Sequence, residues 1–143
     1  MTAKKLLDRE ERVSLDLGLS ESGVEFSVAG VVLPDGVVVS WGDLEKISGR
    51  GEAAFFVEGG SVFQAAVSDG GFLKLLPIAG APTLEIDGVR MHRTVGTTPD
   101  VDARVKLEAL GVDGGRVLDT CTGLGYTALE ALRRGGEWIS GGG

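Results

Sequence analysis

Turn-forming residues recur about every ten residues between short apolar runs over the first two-thirds of the chain, a spacing typical of antiparallel sheets. Apolar runs at 31–33 and 37–39 flank Pro34-Asp35-Gly36, which predicts a hairpin. Further strands are expected near 24–28, 53–57, 62–67, 72–76, 83–86 and 89–91, with one short helix at 42–47. These patterns predict an antiparallel β-rich domain within residues 1–92.

The pattern changes to helical spacing after residue 97. Thr98 and Pro99 read as an N-cap and a first helical position, and they begin a linker helix. Its apolar face is expected at Val101, Val105 and Leu110. The acid-before-base pairs Asp100–Arg104 and Asp102–Lys106 are expected on its solvent side.

A strand, a glycine-containing turn and a second helix follow. The run 116–119 is typical of a short buried strand, and 126–134 predicts a helix with Ala128, Leu129 and Leu132 on its apolar face. Asp119 lies at the carboxyl end of the strand, and Gly123 and Gly125 lie in the turn. Glycines let the backbone pass close to a ligand, and helix amides point toward it, so this order indicates a ligand cradle.

The stretch 117–125, VLDTCTGLG, resembles the first motif of class I S-adenosylmethionine-dependent methyltransferases. The wider segment contains PTLEI at 82–86, MHR at 91–93 and DTCTGLGYTA at 119–128, and it resembles a group of archaeal predicted methyltransferases. The resemblance implies a β-rich region followed by a Rossmann-like domain, together with S-adenosylmethionine as cofactor.

The same resemblance implies roles for residues of the turn. Asp119 would face the amino group or nearby waters of the methionine part of the cofactor. Gly123 and Gly125 would pass beneath its ribose and methionine parts, and Tyr126 would lie over it. Cys121 and Thr122 complete this cofactor-binding set, while His92 and Arg93 would lie near a substrate. The residues alone also allow plainer roles: Asp119 and Thr122 as turn caps, Cys121 as a small packing residue, and Tyr126 as an aromatic packed on the sheet.

Only 18 residues follow Gly125, and their one acid is Glu137. We therefore expect no second strand, no ribose-binding acid and no substrate pocket, and we assign 93–143 to the linker helix and one incomplete βα unit. The expected fold is α+β. The expected function is that of a truncated or remnant methyltransferase, inactive alone, with its uncovered strand and helix favouring a homo-oligomer, most simply a dimer. The alternatives are a β-rich binding or oligomerisation module and a fragment of an aminopropyltransferase-like enzyme.

Composition excludes several other classes. The net charge is −7 and the basic residues are scattered, so nucleic-acid binding is not expected. One His and one Cys are too few for a zinc site, and no apolar run reaches the roughly 20 residues that a membrane-spanning helix needs. A single Cys and no export signal favour the cytoplasm.

Overall fold

The computed structural model describes residues 2–78 and 80–141, among which it forms four helices and thirteen strands. The helices are α1 (Thr2–Leu7), α2 (Trp41–Ser48), α3 (Pro99–Ala109) and α4 (Tyr126–Arg133). The strands are β1 (Arg12–Val13), β2 (Ser22–Gly23), β3 (Glu25–Phe26), β4 (Gly30–Val32), β5 (Val38–Ser40), β6 (Phe55–Glu58), β7 (Ser61–Gln64), β8 (Ala66–Ser68), β9 (Phe72–Leu76), β10 (Thr83–Ile86), β11 (Val89–Arg90), β12 (Gly115–Asp119) and β13 (Gly136–Gly141). This mixture of mostly antiparallel strands with a few helices confirms the α+β prediction.

The first core lies between α1, α2 and the antiparallel sheet β3-β4-β5. Its buried side chains are Leu6, Val13, Val24, Val31, Val39 and Leu44. The hairpin predicted around Pro34-Asp35-Gly36 and the short helix predicted at 42–47 are both confirmed. Helix α2 begins where the Ser40 hydroxyl accepts a hydrogen bond from the Asp43 amide at 3.1 Å.

The second unit is the antiparallel sheet β8-β9-β10-β11. Leu76 and Thr83 lie opposite each other in β9 and β10, and both are buried. Lys74 and Glu85, also opposite each other, form a 2.7 Å ion pair. The Ala54 amide donates to the Leu75 carbonyl beside β6, which ties the β6–β7 hairpin to this sheet.

Two strand predictions differ from the structure. The run 24–28 gives a strand of only two residues, β3, and Val28 is fully exposed because the chain turns through a Ser27–Gly30 hydrogen bond. The single strand expected over 62–67 is divided into β7 and β8, since the Ala65 amide between them bonds to Ala54 instead.

Helix α3 buries a different face from the one its apolar residues predict. It begins at Pro99 as expected, but the buried residues are Pro99, Ala103 and Leu107, while Val105 and Leu110 are exposed. Small Ala103 lies at the centre of the buried face, and α3 also contacts α4. The packing of α3 against its neighbours therefore decides the buried face, rather than apolar spacing alone.

The carboxyl-terminal part forms a parallel βαβ unit, so the expectation that no second strand follows α4 is wrong. Strand β13 pairs in parallel with β12, from Gly115 opposite Gly136 to Asp119 opposite Gly141. The ten residues 126–135 return the chain to the start of the sheet, which suffices for a short crossover helix. Gly142 and Gly143, which belong to the expected 93–143 unit, lie outside the described residues.

The apolar face of α4 is only partly covered. Ala131 is buried and Ala128 half-buried, but Leu129 and Leu132 are about half exposed. The buried position next to Ala131 is Glu130, whose carboxylate pairs with Arg134 at 2.9 Å. In the described residues β12 has β13 as its only strand neighbour, so little sheet surface is available to cover the leucines.

Candidate functional site

The turn between β12 and α4 depends on two glycines in left-handed conformations. Gly123 has φ 52° and Gly125 has φ 81°, a region that other residues rarely adopt. A Cβ on Gly125 would meet nothing within 4 Å, so backbone conformation, rather than crowding, requires glycine there. The Gly125 amide donates to the Thr122 carbonyl at 2.8 Å and closes the turn just before α4.

Asp119 is the last residue of β12, and one of its two carboxylate oxygens accepts a hydrogen bond. Its Oδ1 accepts a hydrogen bond from the Cys121 amide at 3.1 Å, and its main-chain oxygen accepts one from the Thr122 hydroxyl at 3.2 Å. Its Oδ2 is buried, and no described residue donates to it. A buried carboxylate oxygen without a donor is costly, so this atom is suited to a donor from a ligand.

The first turn of α4, which follows the glycine turn, adds amide donors. The N-cap is Gly125, which has no side chain to accept hydrogen bonds from the first helical amides. These amides carry the positive end of the helix dipole, which favours a negatively charged or acceptor group near the start of α4. The turn thus has a carboxylate acceptor at its start and amide donors at its end, a combination that suits a zwitterionic or mixed polar ligand.

His92 reaches the glycine turn from the β-rich region. Its Nδ1 lies 3.0 Å from the hydroxyl of buried Thr83, and its ring packs edge-on against Tyr126, with 5.3 Å between centroids. Its Nε2 lies 3.6 Å from the point where a Cβ on Gly123 would stand. Burial lowers the pKa of His92, nearby Lys106 lowers it further, and Asp102 opposes this.

A cleft of about 260 Å³ lies between α3, the segment 91–93 and the glycine turn. Asp102 lies on its α3 side and pairs with Lys106 at 2.6 Å and with Arg93 at 4.0 Å. The predicted Asp102–Lys106 pair is confirmed, but the Asp102 side chain is only 15% exposed rather than on the solvent side. The lining residues are Met91, His92, Arg93, Pro99, Asp102, Ala103, Lys106, Cys121, Thr122, Gly123, Tyr126 and Thr127.

The structure therefore brings together most of the residues selected from the sequence. Cys121, Thr122, Gly123 and Tyr126 line the cleft, whereas Asp119 and Gly125 belong to the adjoining turn. Cys121 has an exposed free thiol.

Tyr126 lines the cleft and also makes a hydrogen bond to the β-rich region. Its hydroxyl donates to the Pro82 carbonyl at 2.6 Å. Burial, and then the nearby Asp100 carboxylate, raises the pKa of this hydroxyl. Since the hydroxyl is already engaged, the ring rather than the polar tip is available to contact a ligand.

Sequence reasoning missed three contributors: Asp102, Lys106 and Thr83. The first two were assigned to a solvent-facing helix surface, and Thr83 was read only as a strand residue. The four-residue spacing of Asp102 and Lys106 predicts their mutual pairing, but no linear pattern indicates that α3 turns this pair toward the glycine turn. Among the described residues, no group of three or more His, Cys, Asp or Glu side chains could hold a metal ion.

Comparison with known proteins finds a relative that matches almost the whole chain. The chain is 41% identical over 138 residues to the uncharacterized protein MJ1233 of Methanocaldococcus jannaschii. The match covers 96% of this chain and 41% of that protein, so the chain spans less than half the length of its relative. No family model matches the chain. None of the helices in the described part of the chain is long and apolar enough to cross a membrane.

Proposed function

We propose that the turn 119–126 is one half of a binding site for an S-adenosylmethionine-type cofactor, within a methyltransferase-like protein of Rossmann-like architecture. The observation that carries this proposal is the buried Oδ2 of Asp119, which lacks a donor among the described residues. The cofactor's amino group is a cationic donor of the kind that this oxygen needs. When bound, the cofactor would supply an electrophilic methyl group on a sulfonium.

The parallel βαβ unit supports the same proposal. Ligands of open parallel sheets bind outside the carboxyl ends of the strands, which is where Asp119 and the glycine turn lie. The residues present fit the cofactor at this end: Asp119 for its amino group, Gly123 and Gly125 beneath it, and the Tyr126 ring beside it. Cys121 and Thr122 complete the turn.

The remaining contacts of such a site are proposed to come from further polypeptide. The described chain contains two parallel strands, and the sequence has no acid after Glu137 that could hold ribose hydroxyls. The relative is more than twice as long as the matched segment. We therefore propose that this segment alone binds the cofactor weakly and does not transfer a methyl group.

Calorimetric titration of the purified chain with S-adenosylhomocysteine tests the proposal. We expect saturable binding that Asp119→Asn weakens by about tenfold or more, because a hydrogen bond to a charged group is lost. Asp113→Asn is the matched control, since Asp113 is an exposed acid in the loop before β12. Absence of heat at millimolar ligand, or equal loss in both variants, would overturn the proposal.

An aminopropyl-transferring relative of the same cofactor class remains the second enzyme candidate. Both enzyme types bind a sulfonium nucleoside, so the turn itself does not distinguish them. Parallel titrations with S-adenosylmethionine and its decarboxylated form do distinguish them. A preference for the decarboxylated form would favour aminopropyl transfer over methyl transfer.

A non-catalytic module is favoured by a different observation. The first core consists entirely of residues before Ile47 together with partly buried neighbours up to Val62, so it does not include the βαβ unit. Removal of residues 112–143 tests this role. A truncated chain that keeps its β-type circular dichroism and its oligomeric state would support a binding or oligomerisation module.

A further inference from the structure

We propose that Nε2 of His92 accepts a hydrogen bond from the ligand held over the glycine turn, so that the β-rich region supplies part of the binding site. The inference rests on the proposed function and extends it to a residue outside the βαβ unit. Nε2 lies 3.6 Å from the position of a Cβ on Gly123, and His92 lines the same cleft as Cys121, Thr122 and Tyr126. Its position therefore places an acceptor at the entrance to the turn.

The tautomer of His92 decides which ring nitrogen is the acceptor, and the proposal assigns the proton to Nδ1. The Thr83 hydroxyl lies 3.4 Å from the Leu84 carbonyl and 3.0 Å from Nδ1, so it can donate to the carbonyl while its oxygen accepts from Nδ1–H. A neutral ring with its proton on Nδ1 has its lone pair on Nε2. No described residue hydrogen-bonds to Nε2, which leaves that lone pair for a ligand hydroxyl or ammonium group.

The charged surroundings favour the neutral ring that this role requires. Lys106 and Asp102 face His92 from α3, and the cationic Lys106 outweighs the carboxylate in lowering the pKa of His92, after the larger effect of burial. Tyr126 faces it from α4 and Cys121 from the turn, while Arg93 follows it in its own segment. The pKa of His92 is therefore lowered from its ordinary value, which favours the neutral ring with an acceptor nitrogen.

Two substitutions distinguish the proposed role of Nε2 as an acceptor from the structural contact between Nδ1 and Thr83. His92→Asn keeps an amide donor near the Nδ1 position but has no atom at Nε2. His92→Gln places an amide oxygen near Nε2 and does not titrate. We expect His92→Asn to weaken S-adenosylhomocysteine binding about threefold to tenfold, and His92→Gln to stay within about twofold of the native chain.

The single histidine of the chain makes the test direct, because its imidazole resonances need no assignment. Nuclear magnetic resonance of the free chain should show the proton on Nδ1 and a midpoint below the ordinary histidine pKa, and S-adenosylhomocysteine should shift the Nε2 resonance. One pH unit below that midpoint, binding to the native chain should weaken, because protonated Nε2 cannot accept, while binding to His92→Gln should not.

The outcomes for His92 and for the cofactor site are distinguishable. Binding that depends on Asp119 but is unchanged in His92→Asn, or a proton found on Nε2 in the free chain, would overturn the role of His92 and leave the proposed function standing. A native chain that does not bind S-adenosylhomocysteine would overturn both.

Discussion

The hydroxyl of Tyr126 donates a 2.6 Å hydrogen bond to the main-chain oxygen of Pro82, 44 residues earlier in the chain. Tyr126 is the first residue of α4, and Pro82 immediately precedes β10. The bond joins the helix after the glycine turn to the larger antiparallel sheet. With the contact between Tyr126 and His92, it fixes the position of the turn relative to the β-rich region.

Tyr126→Phe should keep the packing of the ring and remove the hydrogen bond to Pro82. We expect the free energy of unfolding to fall by about 0.5–1.5 kcal/mol, the usual net value of one hydrogen bond. Urea unfolding followed by far-ultraviolet circular dichroism measures the change. An unchanged unfolding midpoint would mean that the bond contributes nothing to the attachment of α4.

Two glycine-to-alanine substitutions compare a crowded glycine in the β4–β5 hairpin with an uncrowded glycine in α2. A Cβ on Gly30 would stand only 2.0 Å from the Val39 carbonyl oxygen, so Gly30→Ala must separate β4 from β5 and should lower the unfolding free energy by several kcal/mol. Gly42 lies within α2 with nothing within 4 Å of such a Cβ. Gly42→Ala should therefore raise stability by about 0.5–1 kcal/mol. Thermal unfolding of both variants checks the contrast, and equal effects would contradict it.

The third prediction is that the chain associates with a second copy of itself. Leu118, Leu129 and Leu132 are each at least half exposed, and a parallel sheet is ordinarily covered on both faces. We expect a dimer at tens of micromolar in sedimentation experiments, and we expect Leu129→Gln combined with Leu132→Gln to weaken it. Leu19→Gln, at an exposed leucine of an early loop, is the control. A native chain that sediments only as a monomer would contradict this prediction.

The local elements could largely be predicted from the sequence. The hairpin at Pro34-Asp35-Gly36, the start of α3 at Pro99 and the order β12, glycine turn, α4 all follow from short-range chemistry. The buried face of α3 could not be predicted in this way. It depends on which neighbour packs against the helix. The small residue Ala103 is buried, whereas the larger and more apolar Val105 is exposed.

The candidate site likewise contains residues that could be predicted from the sequence and residues that could not. Asp119 and the glycines are recognisable from their spacing, because backbone conformation and strand position restrict those residues. The approach of His92 could not be derived from linear spacing, since it depends on Thr83 in β10 and on the packing of α3. β13 was missed because its glycines and the single aromatic of its sequence, Trp138, give a weak strand pattern, and its pairing with β12 is long-range.

Parallel pairing in the βαβ unit also bears on the order in which the chain folds. The β4–β5 hairpin joins Val32 to Val38 across a short turn, whereas β12 meets β13 only after α4 has brought Gly136 back beside Gly115. Loop closure costs entropy before such distant contacts offset it, so local hairpins form faster than parallel pairs. The glycine turn between β12 and α4 is therefore expected to reach its final geometry last, on a β-rich region that is already in place.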